Sequence, residues 1–293
     1  MDLQYGIIGP GAVGTTIAYE LLRNFNSNQV HLFGKKEGEV LYQQRDTKEK
    51  AVIHTEALAR FNDTLDVLFI AVKTHQLDRV IEQMEHVIDD DTVIILAQNG
   101  HGQIEKIEHP HVYQAVVYIS GQKTNESVVH FRDRIMQLQE DEYTIELAEQ
   151  LADTRLEFQL QSHIETYIWY KLLVNLGINS VTAVGRQTAS ILKVPEIRNL
   201  CRNLLEEGQR IAEAAGIVLP ETIVEDIMKI YAGYPDDMGT SMYYDIINGA
   251  PLEVDVIQGF IYRTGQSLDL YTPYLETIYS ILAASENGKI NQK

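Results

Sequence analysis

The sequence predicts an α/β protein in two parts: a parallel sheet flanked by helices, then an all-α second half. Three observations carry that prediction. A glycine-rich turn at residues 9–14 separates a short apolar run from a helical stretch. Further apolar runs at residues 29–33, 66–72 and 92–97 follow, with room between them for crossover connections. From about residue 163 onward, apolar residues recur at helical spacing and strand signals fade. The domains are therefore expected at 1–162 and 163–293, with no Gly/Pro-rich linker between them, so that they pack directly and leave a cleft.

In the first domain, residues 3–8 read as a strand and the following helix reaches about Arg23. Between them stands Gly9-Pro10-Gly11-Ala12-Val13-Gly14, a G-x-G-x-x-G run with a strand before it and a helix after it. Gly9 permits a tight turn, Gly11 lets a pyrophosphate approach the backbone, and Gly14 lets helix and strand pack closely. The helix N-terminus adds free N–H groups and a positive dipole end. Against the alternative of a purely structural turn, this context points to a Rossmann-type dinucleotide-binding domain. The second strand ends in Gly34-Lys35-Lys36. An acidic residue at that place accepts from a ribose 2′-hydroxyl, whereas Lys35 with its neighbour suits a 2′-phosphate. That favours NADP(H), an ordinary basic turn being the alternative, with Glu37 and Glu39 close by.

The third strand leads into Lys73-Thr74-His75-Gln76 and a helix to about His86, and the fourth into Gln98-Asn99-Gly100. In an open parallel sheet the ligand lies beyond the carboxyl ends of the strands. Lys73 and Asn99 are thus placed to face a cofactor or, with equal weight from position alone, to cap a loop. After a strand at 112–118, residues 127–131 and 135–138 read as a β-hairpin around Arg132-Asp133-Arg134. A helix near 144–151 and a strand near 156–160 finish the domain.

In the second domain, helices are expected at 164–183, 195–215, 220–231, 251–264 and 272–285. Pro195, Pro220, Pro251 and Pro273 near their starts fit first-turn use. The first helix carries Lys171, Asn175 and Asn179 at i, i+4 and i+8. Each four-residue step rotates by only about 40°, so the three form one polar stripe. An ammonium can donate a proton, and a carboxamide can hold a hydroxyl or a carboxylate without adding charge. A merely solvated face is the alternative, but asparagine favours helix poorly there. Residues 240–245 read as a loop that offers Ser241 as a compact neutral donor. Glu253 is expected in the first turn after Pro251, where the helix dipole favours a carboxylate, so capping competes with a functional role.

Composition excludes several classes. A net charge of −18 opposes nucleic-acid binding. An anionic ligand would need donors placed locally, and between Gly233 and Ser285 the only cationic side chain is Arg263. One cysteine, Cys201, rules out an internal disulfide, and the nine histidines show no metal-ligand spacing, so no metal is expected. No apolar run approaches the ~20 residues of a membrane span. The first residues lack the basic region and cleavage site of a signal peptide, which reads as cytoplasmic.

Taken together, these residues resemble the ketopantoate reductase (2-dehydropantoate 2-reductase) family over nearly the whole chain. The resemblance rests on GPGAVG at 9–14, VKTHQ at 72–76, QNG at 98–100, W-Y-K-L-L-V-N-x-x-x-N at 169–179 and SMxxD…PLEVDxIxG at 241–259. It implies NADPH-dependent reduction of ketopantoate, a small anionic 2-oxo acid, to pantoate on the route to coenzyme A. It further implies Lys171 as general acid and Glu253 as the carboxylate that binds the substrate hydroxyl and orients the site. Asn99, Asn175, Asn179 and Ser241 correspond to substrate and lysine contacts, and Lys73 and Gln76 to the adenine end of the nucleotide. A homodimer through the helical domain is also implied. The chain departs from many relatives at Ala250, where they carry arginine, and at Leu252, where they carry threonine. Those departures leave a different branched 2-oxo acid open. The rival readings are a related NAD(P)-dependent β-hydroxyacid or opine dehydrogenase and a non-catalytic NADPH sensor. Retention of Lys171, both asparagines and Glu253 argues against the sensor.

Overall fold

The structure is a computed structural model that describes residues 3–124 and 127–290, the last four by backbone alone. Two compact units divide the chain: Met1–Asn99 with Gln103–Ile164, and Gly100–Gly102 with Glu165–Lys293.

In chain order the strands of the first unit are β1 (Tyr5–Ile8), β2 (Val30–Gly34), β3 (Gly38–Gln44), β4 (Lys50–Ala57) and β5 (Val67–Ile70). They continue with β6 (Val93–Leu96), β7 (Val112–Gln114), β8 (Val116–Lys123), β9 (Ser127–Gln139) and β10 (Glu157–Gln161). Its helices are α1 (Ala12–Leu22), α2 (Leu77–Met84) and α3 (Glu142–Gln150). The strands join in the order β10-β9-β3-β4-β2-β1-β5-β6-β7, with β8 on β9. Every residue of β1, β5 and β6 is buried, as parallel strands covered on both faces require. Ile8 stands in register with Phe33 on one side and Ile70 on the other, so these strands end level. The chain leaves β1 for β2 on one side and later returns to β5 on the other. The gap between β1 and β5 is therefore the switch point at which such sheets bind ligands.

Beyond β2 the sheet departs from expectation. A hairpin of β3 and β4, antiparallel from Gly38↔Thr55 to Gln43↔Lys50, occupies a stretch to which the sequence assigned no element. The hairpin expected at 127–138 does not form. Its residues make one strand of 13 residues, β9, which pairs with β3 through Ser127–His130 and with β10 through Ile135–Gln139. β8 runs antiparallel alongside both parts, with register shifts opposite the Arg132 region. Asp133 takes a left-handed φ of 62°, and the buried His130 ring holds Nε2 at 3.2 and 2.8 Å from the carbonyl oxygens of Arg132 and Asp133. With those peptides satisfied, the three residues bulge and the strand continues instead of reversing. This extension is bonded to α1 by Glu20, fully buried, which accepts from Arg134 at 2.6 Å and from Arg155 at 2.8 Å.

The second unit is helical: α4 (Ile164–Gly185), α5 (Pro195–Ala214), α6 (Ile223–Ala232), α7 (Ser241–Ile247), α8 (Gln258–Ser267) and α9 (Pro273–Ile290). The apolar side of α4 packs on α5 closely enough that a Cβ on Gly208 would stand 2.5 Å from Leu173. Pro195 and Pro273 open helices, but Pro220 and Pro251 do not. Residues 240–245, read as a loop, enter α7, capped by the Thr240 hydroxyl, which accepts from the Tyr243 N–H at 3.1 Å. The helix expected at 251–264 begins only at Gln258. Leu252, Glu253 and Val254 are all buried, and three consecutive inward residues cannot form a surface turn of helix. Among the described residues, no helix is long and apolar enough to cross a membrane.

Candidate functional site

The turn after β1 is made by its glycines. Gly9 has φ +114°, and a Cβ there would meet the Ala71 backbone at 2.8 Å. A Cβ on Gly14 would stand 2.2 Å from the Gly9 carbonyl oxygen, which keeps α1 against the strand. Gly11 behaves differently: nothing lies within 4 Å of the Cβ it lacks. This open side faces a helix start with no side-chain cap and no acidic residue in its first turn. Ala12 and Val13 occupy that turn, and Pro10 precedes the Gly11 cap. Unpaired N–H donors, an open approach and no competing carboxylate fit a pyrophosphate.

Because the parallel strands end level, the other cofactor candidates of this unit leave from the same edge of the sheet. Lys35 follows β2 and is exposed, while Glu37 two residues on is engaged by Arg60 at 2.5 Å. Lys73 follows β5 and begins a short 3-10 turn, Thr74–Gln76, that carries Gln76. Asn99 follows β6, and its carbonyl oxygen accepts from the Gln103 carboxamide at 2.6 Å. The preceding Gln98 ties β6 to β5 by donating to the Val72 carbonyl at 2.7 Å.

In the second unit, α4 carries Lys171 and Asn175 half-buried and Asn179 4% exposed. A solvated face would leave all three open to water, and Asn179 is not. Ser241 is the first residue of α7 and is exposed. Glu253, 4% exposed, lies in the non-helical run before α8 and not in a first helical turn, so dipole capping does not account for it. Both are linked to the end of α4. The Thr182 and Thr240 hydroxyls meet at 2.8 Å next to Ser241, and Gln258 donates to the Ser180 hydroxyl at 2.9 Å just after the Glu253 run. The Leu252 N–H donates to the Glu286 carboxylate, fixing that run from α9.

Sequence reasoning missed these supports. Gln258 and Thr182 gave no local signal, because their partners lie 78 and 58 residues away. It also missed Lys123 of β8, whose ammonium donates to the Pro10 carbonyl beside the glycine turn. His101, directly after Gly100 (φ +91°), donates its N–H to Val256 at 2.9 Å and stacks on Phe260 at 4.2 Å, with Nε2 3.0 Å from Glu165. The left-handed Gly100 was the one available clue to that clamp.

Two family models cover most of the chain: ketopantoate reductase PanE/ApbA matches residues 5–142, and its C-terminal counterpart matches residues 163–286. A dimeric ketopantoate reductase from Staphylococcus aureus superposes with a TM-score of 0.95 at 50% identity, over 98% of this chain and 100% of that one. A 2-dehydropantoate 2-reductase from Mycobacterium tuberculosis is 29% identical over 98% of this chain and 99% of its own length. D-mandelate dehydrogenase bound to NADH and anilino(oxo)acetate shares the fold, with a TM-score of 0.86 at 21% identity over 98% of this chain and 99% of that one.

Proposed function

The chain belongs to the ketopantoate reductase family, and from that premise we propose that it reduces ketopantoate to pantoate with NADPH, using Lys171 as the general acid. It is an oxidoreductase, and its family uses NADPH. The observation that carries the reading is the make-up of α4. One helix bears an ammonium and two carboxamides in line, and its last turns hold the elements that carry Ser241 and Glu253.

When bound, the nicotinamide supplies a hydride to C2 of the 2-oxo acid. Negative charge then develops on the C2 oxygen, and the Lys171 ammonium gives that oxygen a proton. An ordinary lysine, with a pKa of about 10.4, is far more acidic than an aliphatic alcohol, so the transfer runs downhill. The ketone gains that hydride and one proton, and the Lys171 amine recovers its proton from solvent. Asn99, Asn175, Asn179 and Ser241 hold the substrate with neutral donors, which adds no negative charge beside its carboxylate. Glu253 accepts from the substrate hydroxyl and keeps the amine oriented. Residues 9–14 cradle the pyrophosphate, Lys35 meets the 2′-phosphate, and Lys73 and Gln76 lie toward the adenine. In this reading residues 1–162 bind NADP(H) and residues 163–293 bind the acid and a second copy of the chain, in the cytoplasm.

The test is loss of NADPH absorbance on adding ketopantoate, run beside a panel of branched 2-oxo and 3-hydroxy acids. Lys171→Ala should lower kcat by about 100-fold or more while leaving the NADPH Kd unchanged; undiminished turnover would remove Lys171 as the acid. Turnover confined to another acid would reassign the substrate, and NADPH binding without turnover on any acid would favour the sensor.

A further inference from the structure

The hydrogen-bond ladder of α4, an α-helix throughout Ile164–Gly185, takes in a side chain from another helix. The hydroxyl of Tyr231, on α6, donates to the Val174 carbonyl oxygen at 2.8 Å and accepts from the Ile178 N–H at 3.1 Å. Those are the i and i+4 groups that an α-helix pairs directly. Tyr231 is 3% exposed, so it holds this place without competition from bulk water. Burial pushes its pKa well above the ordinary phenol value, which keeps the hydroxyl neutral and able to donate and accept together. Gly177 makes the room, since a Cβ there would stand 2.6 Å from the Tyr231 oxygen. One turn further on, Thr182 donates back to the Ile178 carbonyl at 2.7 Å, a second side chain on the same stretch of ladder. Groups inserted into the i→i−4 ladder alter the course of a helix.

The insertion lies within the polar stripe: Val174 and Ile178 bracket Asn175, and Asn179 follows. In a regular helix the side chains at 171 and 179 diverge by about 80°, two steps of about 40°. Loosening the turn between them lowers the rotation per residue and brings the stripe back toward one line. We propose that Tyr231 is a positioning residue for the substrate, its hydroxyl spliced into α4 between Val174 and Ile178 so that Asn175 and Asn179 align with Lys171. It acts through the helix, touching neither substrate nor cofactor. The inference rests on the reading of α4 as the helix that holds the acid and binds the substrate.

Tyr231→Phe removes the one oxygen that bridges Val174 and Ile178. The KM for ketopantoate should rise about tenfold, with kcat and the NADPH Kd unchanged. Pantoate binding to the NADP+ form, measured by calorimetry, should weaken by the same factor. Gly177→Ala, which forces the phenol out, should give the same split and add little in the double variant, because both changes act on one contact. Packing is read at Cys201, the sole cysteine, fully buried beside Tyr231 with its thiol pushed up to about 12 by burial. It should stay inert to a thiol reagent in both variants. An unchanged KM in Tyr231→Phe would overturn the proposal. So would a reactive Cys201 with kcat and NADPH affinity falling together, which would mark a general packing role. Lys171→Ala measured alongside separates the two layers. Retained turnover there defeats the reading of α4 itself, whereas lost turnover with a normal KM in Tyr231→Phe defeats only the positioning role.

Discussion

At the turn after β1 the candidate groups are backbone N–H donors, and the glycines that shape it act on one another or on the adjacent end of β5. Along α4 the candidate groups are side chains, and residues that bond to the same helix lie 53, 58 and 78 positions away from their partners in sequence. A phosphate asks only for donors and room, which a short run of glycines supplies wherever a strand meets a helix. A branched acid with a carboxylate, a ketone and a hydroxyl asks for several side chains at fixed angles, and one helix cannot set those alone. Damage to the first region should therefore appear in nucleotide affinity, and damage to the second in handling of the acid.

The sharpest way to break that division is Gly14→Ala, whose Cβ would lie 2.2 Å from the Gly9 carbonyl oxygen. Overpacking of this kind costs about 1–3 kcal/mol, so NADPH affinity should fall by roughly 10- to 100-fold, with kcat at saturating NADPH retained. A fall in kcat at saturation would mean the turn also serves the chemistry. Next in size, Thr182→Val deletes the buried hydroxyl that meets Thr240 ahead of Ser241. With about 1–2 kcal/mol at stake, the KM for the acid should rise several-fold while the NADPH Kd holds, and Thr182→Ser should restore it. A silent Thr182→Val would show that the stripe does not depend on its distant supports. The smallest effect belongs to Lys35→Ala. An exposed charge contact contributes up to about 1 kcal/mol, so titrations should show NADPH binding weakened by a few-fold and NADH binding unchanged. Equal loss for both nucleotides would move Lys35 away from the 2′-phosphate.

The same contrast explains what could be read before the fold was known. The β1 turn was legible in full, because G-x-G-x-x-G encodes its requirements locally: a left-handed Gly9, a crowded Gly14 and an open Gly11. The α4 stripe was legible as a pattern, since its residues share one helical period. Two readings failed where a local signal met a distant partner. Arg132-Asp133-Arg134 looks like a turn, yet His130 satisfies its carbonyls and the strand runs on between β3 and β10. Pro251 looks like a helix start, yet the burial of Leu252, Glu253 and Val254 keeps that run out of the helix, which begins at Gln258 after a turn. The hairpin of β3 and β4 was passed over because only four of its strand residues, Val40, Tyr42, Ile53 and Thr55, are buried, and only the pairing with β9 makes its pattern cohere.

By itself, the sequence determined the two-part architecture, the glycine turn after β1, the helix that bears Lys171 and the family. The first three follow from backbone preferences and from periodicity, which act over a few residues, and the family from its motifs in order. Tertiary structure alone decided that Tyr231 enters the ladder of α4, that Thr240 and Gln258 meet the last turns of that helix, and that Glu253 is buried outside any helix. Each of those depends on a buried polar group finding a partner, and which partner comes within reach is settled only when the helices pack.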